Sequence, residues 1–383
     1  MRRHLVYSAA ALAATIASFG LTAGSAFASG PVPTTSTTAA TPTSTTTTGT
    51  TASALSATAG ASSTTTTTTT TPATSTATTT TTTPTTAPAP AKKAKATLYL
   101  LNAFFVQRQA VIVPNRPMQV GGVVRPYVPG QWVDIKSFLG HKLIKSDRLR
   151  IQPSRNGSYG GFSEKLTIPG TGVVRITVTH KRTPQMLGFL AQRGIASLNE
   201  NVGFGSTGPF VQLIQQQLQA LHFYIPQTGV FDQGTGLALD AYHRLLGTGV
   251  SQSLDGPTIS SLLDGRGAFK VRYPGDGTHV EGNLSKQLLA LIHGSSVYRI
   301  YPISSGKPST PTILGRFHVY YRVPGYLPDG MYYSSFFFSG YAIHGYDPAP
   351  DYPASHGCMR LPIVDAISVF QWITYGDGVD VYY

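Results

Sequence analysis

The run Tyr341-Ala342-Ile343-His344-Gly345 is followed, eleven residues beyond His344, by Ser355-His356-Gly357-Cys358-Met359-Arg360-Leu361, and Cys358 is the one cysteine in 383 residues. A thiol attacks only as thiolate, and a free one with a pKa of about 8.5 needs a neighbouring base, cation or helix N-terminus. This stretch offers all three. His344 and His356 supply imidazole, and Arg360 supplies fixed charge. Pro362 suits the first turn of a helix continuing through Ala366, Phe370 and Trp372, which puts Cys358 in a short loop just before a helix N-terminus. Gly357 allows close backbone approach beside the sulfur, so that amide N–H groups can face a developing oxyanion. Two other readings stand beside the nucleophile. Cys358 could be a buried inert thiol, or His344, His356 and Cys358 could ligate Zn²⁺ with water in the fourth position. Against zinc, His356 and Cys358 are only two residues apart, and neither a His-Glu-x-x-His pair nor an obvious carboxylate base accompanies them.

Outward from this motif the chain is strand-rich from His279 onward, with residues 288–292 and 297–303 flanking His293-Gly294-Ser295 as a hairpin. Residues 204–265 read as helical. Ser206 or Thr207 can cap a helix with Pro209 in its first turn, and Val211, Ile214, Leu218 and Leu221 recur at helical spacing. A second helix carries Leu237, Ala241, Tyr242 and Leu245, and Asp255 with Pro257 opens a third that turns Ile259, Leu262 and Leu263 inward. Residues 183–203 are left as a linker. Before it, residues 92–182 hold short β-branched and aromatic runs broken by Gly and Pro, at 96–106, 110–113, 131–135, 162–168 and 173–178. Their turn spacing predicts a small, Ig-like β-sandwich.

The N-terminal quarter is an address and a spacer. Residues 1–28 open on Arg2-Arg3, continue through a small-residue and apolar run, and close on Ala26-Phe27-Ala28, a secretory signal with an A-x-A cleavage site. An uncleaved anchor is the alternative; the run is short and interrupted for a spanning helix of ~20 apolar residues. No later segment approaches that length. Residues 29–91 are Thr, Ser, Ala, Pro and Gly with almost nothing apolar to bury, and so are expected to be a disordered stalk, O-glycosylated or a plain spacer.

Composition narrows the partners. The formal charge is +13, yet only 12% of residues are Asp, Glu, Lys or Arg, about half the usual quarter of a globular chain, so dense phosphate-binding stripes are absent and nucleic acid is not expected. A single cysteine excludes a disulfide framework and Cys-rich zinc or iron–sulfur sites. The charge is also unevenly placed. Residues 92–182 carry 16 Lys or Arg against Asp134, Asp147 and Glu164, a surplus of 13, while residues 183–383 carry 11 basic and 13 acidic groups. That asymmetry points to an anionic surface such as wall polymer or lipid headgroups.

Two families are recognisable in these residues. Gly208-Pro209-x-Val211-x-x-Ile214-Gln215-x-x-Leu218-x-x-Leu221, then Thr228-Gly229-Val230-Phe231-Asp232 and Ala238-x-x-Ala241-Tyr242, resembles the three-helix peptidoglycan-binding module found beside wall enzymes. The Cys358 motif closely resembles the YkuD-type L,D-transpeptidase catalytic domain over residues 279–383, together with Ser304-Ser305-Gly306-Lys307-Pro308-Ser309-Thr310-Pro311-Thr312 and Gly315-Arg316-Phe317. Leu314 before Gly315 departs slightly from the family pattern. The resemblance implies a mainly-β catalytic domain without cofactor or metal, in which Cys358 is the nucleophile, His344 the base, and the Gly345 carbonyl orients the imidazole. It further implies that His356, Ser355, Gly357 and Arg360 shape the site and its oxyanion environment.

The chain so read is an exported, multidomain wall enzyme: stalk, basic β-sandwich, small three-helix bundle, catalyst. Its substrate would be peptidoglycan stem peptides, crosslinked 3-to-3. An L,D-carboxypeptidase using water and a non-catalytic wall-binding protein are the alternatives. Binding through the basic unit is electrostatic and screened, with a Debye length of about 10 Å at 0.1 M salt. The chain is therefore expected to bind phosphate-bearing walls or anionic vesicles at low salt and release as salt rises, through a patch including Lys142, Lys145, Arg148 and Arg150. Equal retention on walls stripped of anionic polymer and on neutral vesicles, in a co-sedimentation assay, would reduce the surplus to a solubility feature.

Overall fold

A computed structural model describes residues 89–383. The signal segment expected at residues 1–28, and the stalk at 29–91 apart from its last three residues, lie outside the described residues. No helix among the described residues is long and apolar enough to cross a membrane.

The first unit runs through β1 (Lys95–Leu101), β2 (Phe104–Val106), β3 (Gln109–Ile112), β4 (Pro117–Arg125), β5 (Trp132–Leu139), β6 (Lys142–Arg150), β7 (Gln152–Pro153), β8 (Gly160–Thr167), β9 (Gly172–His180) and β10 (Phe189–Ser197). These form two sheets, ordered β1-β4-β8-β7 and β2-β3-β10-β9-β5-β6. Alternate residues of each enter one core. Leu98, Val120 and Leu166 come from the first sheet, and Ile135, Val174, Ile176 and Val178 from the second. The run expected at 96–106 is divided by Asn102, at φ 62°, so that β1 and β2 join different sheets.

Strand β10 corrects the expected linker at 183–203. It pairs antiparallel with β9 along its whole length, from Phe189 opposite His180 to Ser197 opposite Gly172, and parallel with β3 at Ala196 and Ser197. Only Ile195 and Ser197 on it are buried, and Gly194 interrupts the pattern, so ladder hydrogen bonds define the strand more than apolar alternation does. The basic patch is corrected too. Residues 145 and 147 lie on one face of the pleat, and 148 and 150 on the other. Lys145 pairs with Glu164 and, at 3.6 Å, with Asp147, whereas Arg148 lies 3.5 Å from Asp134. The four cations do not share one surface.

Helices α1 (Pro209–Ala220), α2 (Gln233–Leu246) and α3 (Gly256–Leu263) follow. Asp232 and Asp255 cap the last two by accepting from Thr235 N–H at 2.9 Å and Thr258 N–H at 2.7 Å. For α1 the expected Ser206 or Thr207 cap is not used. Gly208 occupies the cap position, Pro209 begins the helix, and Ser206 Oγ instead accepts from Gly203 N–H.

The C-terminal region comprises β11 (Thr278–Asn283), β12 (Leu288–His293), β13 (Ser296–Pro302), β14 (Gly315–His318), β15 (Tyr321–Tyr326), β16 (Tyr332–Phe338), β17 (Tyr341–Gly345), β18 (Met359–Leu361), α4 (Ile363–Trp372) and β19 (Gly378–Tyr382). One sheet is ordered β13-β12-β11-β19-β14, with β19 parallel to β11; the other is β15-β16-β17-β18. They enclose a core with α4 in which Leu289, Leu291 and Val280 meet Phe337, Ile343, Met359, Leu361 and Val369.

Strand β12 is buried on both faces. Leu289 and Leu291 face the C-terminal core, while Leu288, Ala290 and Ile292 belong to a second cluster with Ile214, Leu218, Phe223, Tyr242 and Leu262 of the helical unit. Val106, Val111, Val113 and Leu198 of the first unit enter that second cluster as well. Backbone bonds stitch the seam, with Tyr224 N–H to Ile300 O at 3.0 Å and Ile300 N–H to His222 O at 2.8 Å. The helices are thus wedged into a shared core.

Burying one Val, Leu, Ile or Phe side chain contributes ~1.5–3 kcal/mol, and a small domain is stable by only about 5–15 kcal/mol in total. Removing the eight neighbours Val106, Val111, Val113, Leu198, Leu288, Ala290, Ile292 and Ile300 therefore forfeits an amount comparable with the whole stability of a domain this small. A fragment of residues 200–267 is expected to show no cooperative thermal transition by circular dichroism, whereas the chain from residue 89 onward melts cooperatively; a sharp melt of the fragment contradicts the shared core.

Candidate active site

Strands β17 and β18 run parallel, with Ile343 beside Met359 and His344 beside Arg360. Ile343, Met359 and Leu361 enter the core, so the pleat turns His344 and Arg360 together to the opposite face. Cys358 ends the bend immediately before β18. Its Sγ lies 3.6 Å from the Gly340 carbonyl, and the Ala342 amide is directed at the sulfur. One expectation is corrected here. The three residues of β18 and Pro362 separate Cys358 from α4, so no helix N-terminus adjoins the thiol.

The His344 ring is buried and its Nδ1 donates to Gly345 O at 2.9 Å. That bond puts the proton on Nδ1 and leaves Nε2 as the acceptor. Burial pulls the His344 pKa down from 6.5 to about 4, with the Arg360 charge adding to the depression and the Gly345 bond opposing it. Burial likewise pushes the Cys358 thiol up, against the Ala342 amide and Arg360, which favour thiolate. The resting pair is consequently neutral thiol and neutral imidazole. Cation and amide supply only a partial offset.

The motif around the sulfur is held by its own hydrogen bonds. Ser355 Oγ, fully buried, donates to Cys358 O at 2.6 Å and accepts from Gly357 N–H at 3.0 Å. The Gly357 amide is therefore engaged within the loop and is not free to meet an oxyanion. Glycine is required there on two counts: φ is 121°, and a Cβ would lie 2.5 Å from the Tyr341 ring. At Gly345 a Cβ would come within 2.6 Å of Ala366 Cβ, so glycine lets α4 seat against β17. Arg360 stacks on Tyr346, its guanidinium carbon 4.0 Å from the ring centroid, and reaches the thiol by charge alone.

His344, Gly345, Ser355, Gly357, Cys358 and Arg360 thus converge. His356 does not. Its side chain is exposed and its Nε2 accepts from Lys307 Nζ at 3.3 Å. Among the described residues, no three His, Cys, Asp or Glu side chains converge as a metal-ligand set. Sequence reasoning passed over Lys307, Tyr341, Tyr346 and the Ala342 amide. Alternation from His344 could have placed Ala342 and Tyr346 on its face; nothing local announces Lys307. The Ser304–Thr312 segment laces directly onto the motif, with Ser304 exchanging backbone bonds of 2.9 Å with Arg360, and Lys307 N–H donating to Ser355 O at 3.0 Å.

Residues 277–381 match the YkuD family model, the L,D-transpeptidase catalytic domain. This stretch is accordingly the YkuD-type region. Among solved structures, the L,D-transpeptidase from Xylanimonas cellulosilytica DSM 15894 is 28% identical over 48% of this chain and 98% of that one, with a TM-score of 0.43. The L,D-transpeptidase from Stackebrandtia nassauensis is 17% identical over 49% and 98%, with a TM-score of 0.32. The catalytic domain of the E. faecium L,D-transpeptidase is 26% identical over 28% and 98%, with a TM-score of 0.26. No curated protein matches the chain.

A neutral pair has a pH signature. Because the His344 pKa is lowered and that of Cys358 raised, neither group ionises between about pH 5 and the ordinary thiol range. Alkylation of Cys358 by iodoacetamide is expected to climb steadily into alkaline pH. A plateau between pH 4 and 7 would mean a preformed thiolate–imidazolium pair.

Proposed function

We propose that this chain is an exported cell-wall L,D-transpeptidase that forms 3-to-3 peptidoglycan crosslinks through an acyl-enzyme on Cys358. One observation carries the reading: the Nδ1 bond from His344 to the Gly345 carbonyl presents Nε2 as a proton acceptor on the sheet face it shares with Arg360, beside the bend that holds Cys358. The YkuD match supports the substrate class.

In this mechanism the Cys358 Sγ–H proton passes to His344 Nε2 as sulfur attacks the carbonyl carbon of the third residue of a stem tetrapeptide. The carbon–nitrogen bond to the terminal D-alanine breaks, its amine takes the proton from Nε2, and a thioester remains. An amine from a neighbouring stem's diamino acid then attacks the thioester carbonyl, forming the crosslink and returning the proton to sulfur through His344. Water in place of that amine makes the reaction an L,D-carboxypeptidase. Arg360 tempers the thiol pKa, while Ser355, Gly345 and Gly357 hold the loop in shape. His356 stands at the rim with Lys307. The helical unit would bind peptidoglycan and the basic unit anionic wall polymer or lipid headgroups, keeping the catalyst near an insoluble substrate. Residues 1–28 and 29–91 would supply export and reach.

Proton transfer by a positioned base contributes ~100- to 10,000-fold. Cys358→Ala should abolish crosslinking of tetrapeptide muropeptides, His344→Ala should lose at least ~100-fold, and His356→Ala under ~10-fold. A carbapenem-type β-lactam should add its mass to Cys358, read by intact-protein mass spectrometry. Turnover surviving in Cys358→Ala overturns the mechanism, and absence of both adduct and turnover in the native chain favours the non-catalytic reading.

A further inference from the structure

We propose that Asp240 and Arg244, on the α2 face turned to the catalytic region, are positioning residues for the Cys358 site. The inference rests on reading Cys358 as the nucleophile. Both side chains are buried, at 3% and 8% exposure. Asp240 Oδ2 holds Arg244 Nη2 at 2.6 Å, and this fixes the guanidinium so that Nη1 donates to two main-chain carbonyls, Ile303 O at 2.9 Å and Gln287 O at 3.1 Å. Those carbonyls are the doorway to the Ser304–Thr312 segment.

From there every step toward the sulfur is a short bond. Gln287 grips Ser305 twice, its Oε1 accepting from Ser305 N–H at 2.9 Å and its Nε2 donating to Ser305 Oγ at 2.8 Å. Ser305 O accepts from the Ala354 and Ser355 amides, both at 2.9 Å, and Ser304 pairs with Arg360. Ser355 Oγ then donates to Cys358 O. The guanidinium of a helix outside the YkuD-type region thereby sets the height of the loop that carries the thiol.

Stability alone does not account for the pair. Desolvating two charges is costly, and well-packed apolar residues of similar volume commonly replace such pairs without loss of stability. Asp240 Oδ1 and Arg244 Nε are buried without a partner, so the pair does not fully satisfy itself. What an apolar pair would not supply is the fork of donors onto two carbonyls.

The test uses the full chain. Asp240→Leu with Arg244→Met removes both charges together and is expected to keep a cooperative melt. Its carbapenem acylation rate constant should fall roughly 10- to 100-fold, the cost of a small misplacement of reacting groups, with apparent affinity little changed. The pH midpoint of Cys358 alkylation by iodoacetamide should shift down toward that of an ordinary thiol, because a loosened loop admits water. Arg244→Lys, which keeps the charge opposite Asp240 but reaches fewer carbonyls, should be intermediate, and it decides the matter if the double variant does not fold. Native acylation and a native alkylation profile in folded double variant, or in folded Arg244→Lys should the double variant be lost, overturn the proposal. Since iodoacetamide requires no stem peptide, failure of the transpeptidase reading, seen as turnover surviving in Cys358→Ala, is distinguishable from failure of this one.

Discussion

Strand β12 meets water on neither face, and the arrangement of the described chain follows from that. Five consecutive buried residues force a partner onto each side: the helical unit covers Leu288, Ala290 and Ile292, and the core beneath the thiol loop covers Leu289 and Leu291. An α2 helix seated on β12 and β13 can reach main-chain carbonyls of both strands at the open end of that hairpin, as Arg244 does. The same packing leaves the opposite sheet, β15-β16-β17-β18, to hold His344 and Arg360 on its face away from that core.

The chemistry of the site is likewise governed by burial more than by charge. Arg360 and the Ala342 amide favour a thiolate, yet desolvation is the largest influence on both Cys358 and His344 and acts against the charged form of each. Burial that raises the thiol also lowers the imidazole, so both groups favour their neutral forms. Such an arrangement protects the chain's single thiol from oxidation, since susceptibility tracks thiolate character.

Much of the site was legible in the sequence because its parts are local. Ser355, Gly357 and Cys358 bond to one another within four residues, and Gly345 adjoins the histidine it orients. Asp255 announced its helix for the same reason. What escaped depends on partners distant in sequence. Gly121 and Gly122 in β4 lie under the rings of Tyr99 and Phe162, where a Cβ would collide. Strand β10 is recognised through β9 and β3, and Lys307 finds His356 only because Gly306 bridges to Ser355. The helix N-terminus expected beside Cys358 failed differently: three residues of local pattern were too few to announce β18 between them.

Two cores back to back on one strand also separate the consequences of neighbouring substitutions. Leu289 and Leu291 pack in the core of Ile343 and Met359, the strand partners flanking the histidine and the thiol, so a cavity there is felt in the pleat that aims them. Ala290 and Ile292, each one residue away, pack with the helices, and a cavity there loosens the seat of α2. Close-packed interiors transmit such shifts because they yield little in volume. The helical unit is then packed into one frame with the C-terminal region, and its hold on that region passes through β12 and the Arg244 bonds to Ile303 and Gln287 rather than through a tether.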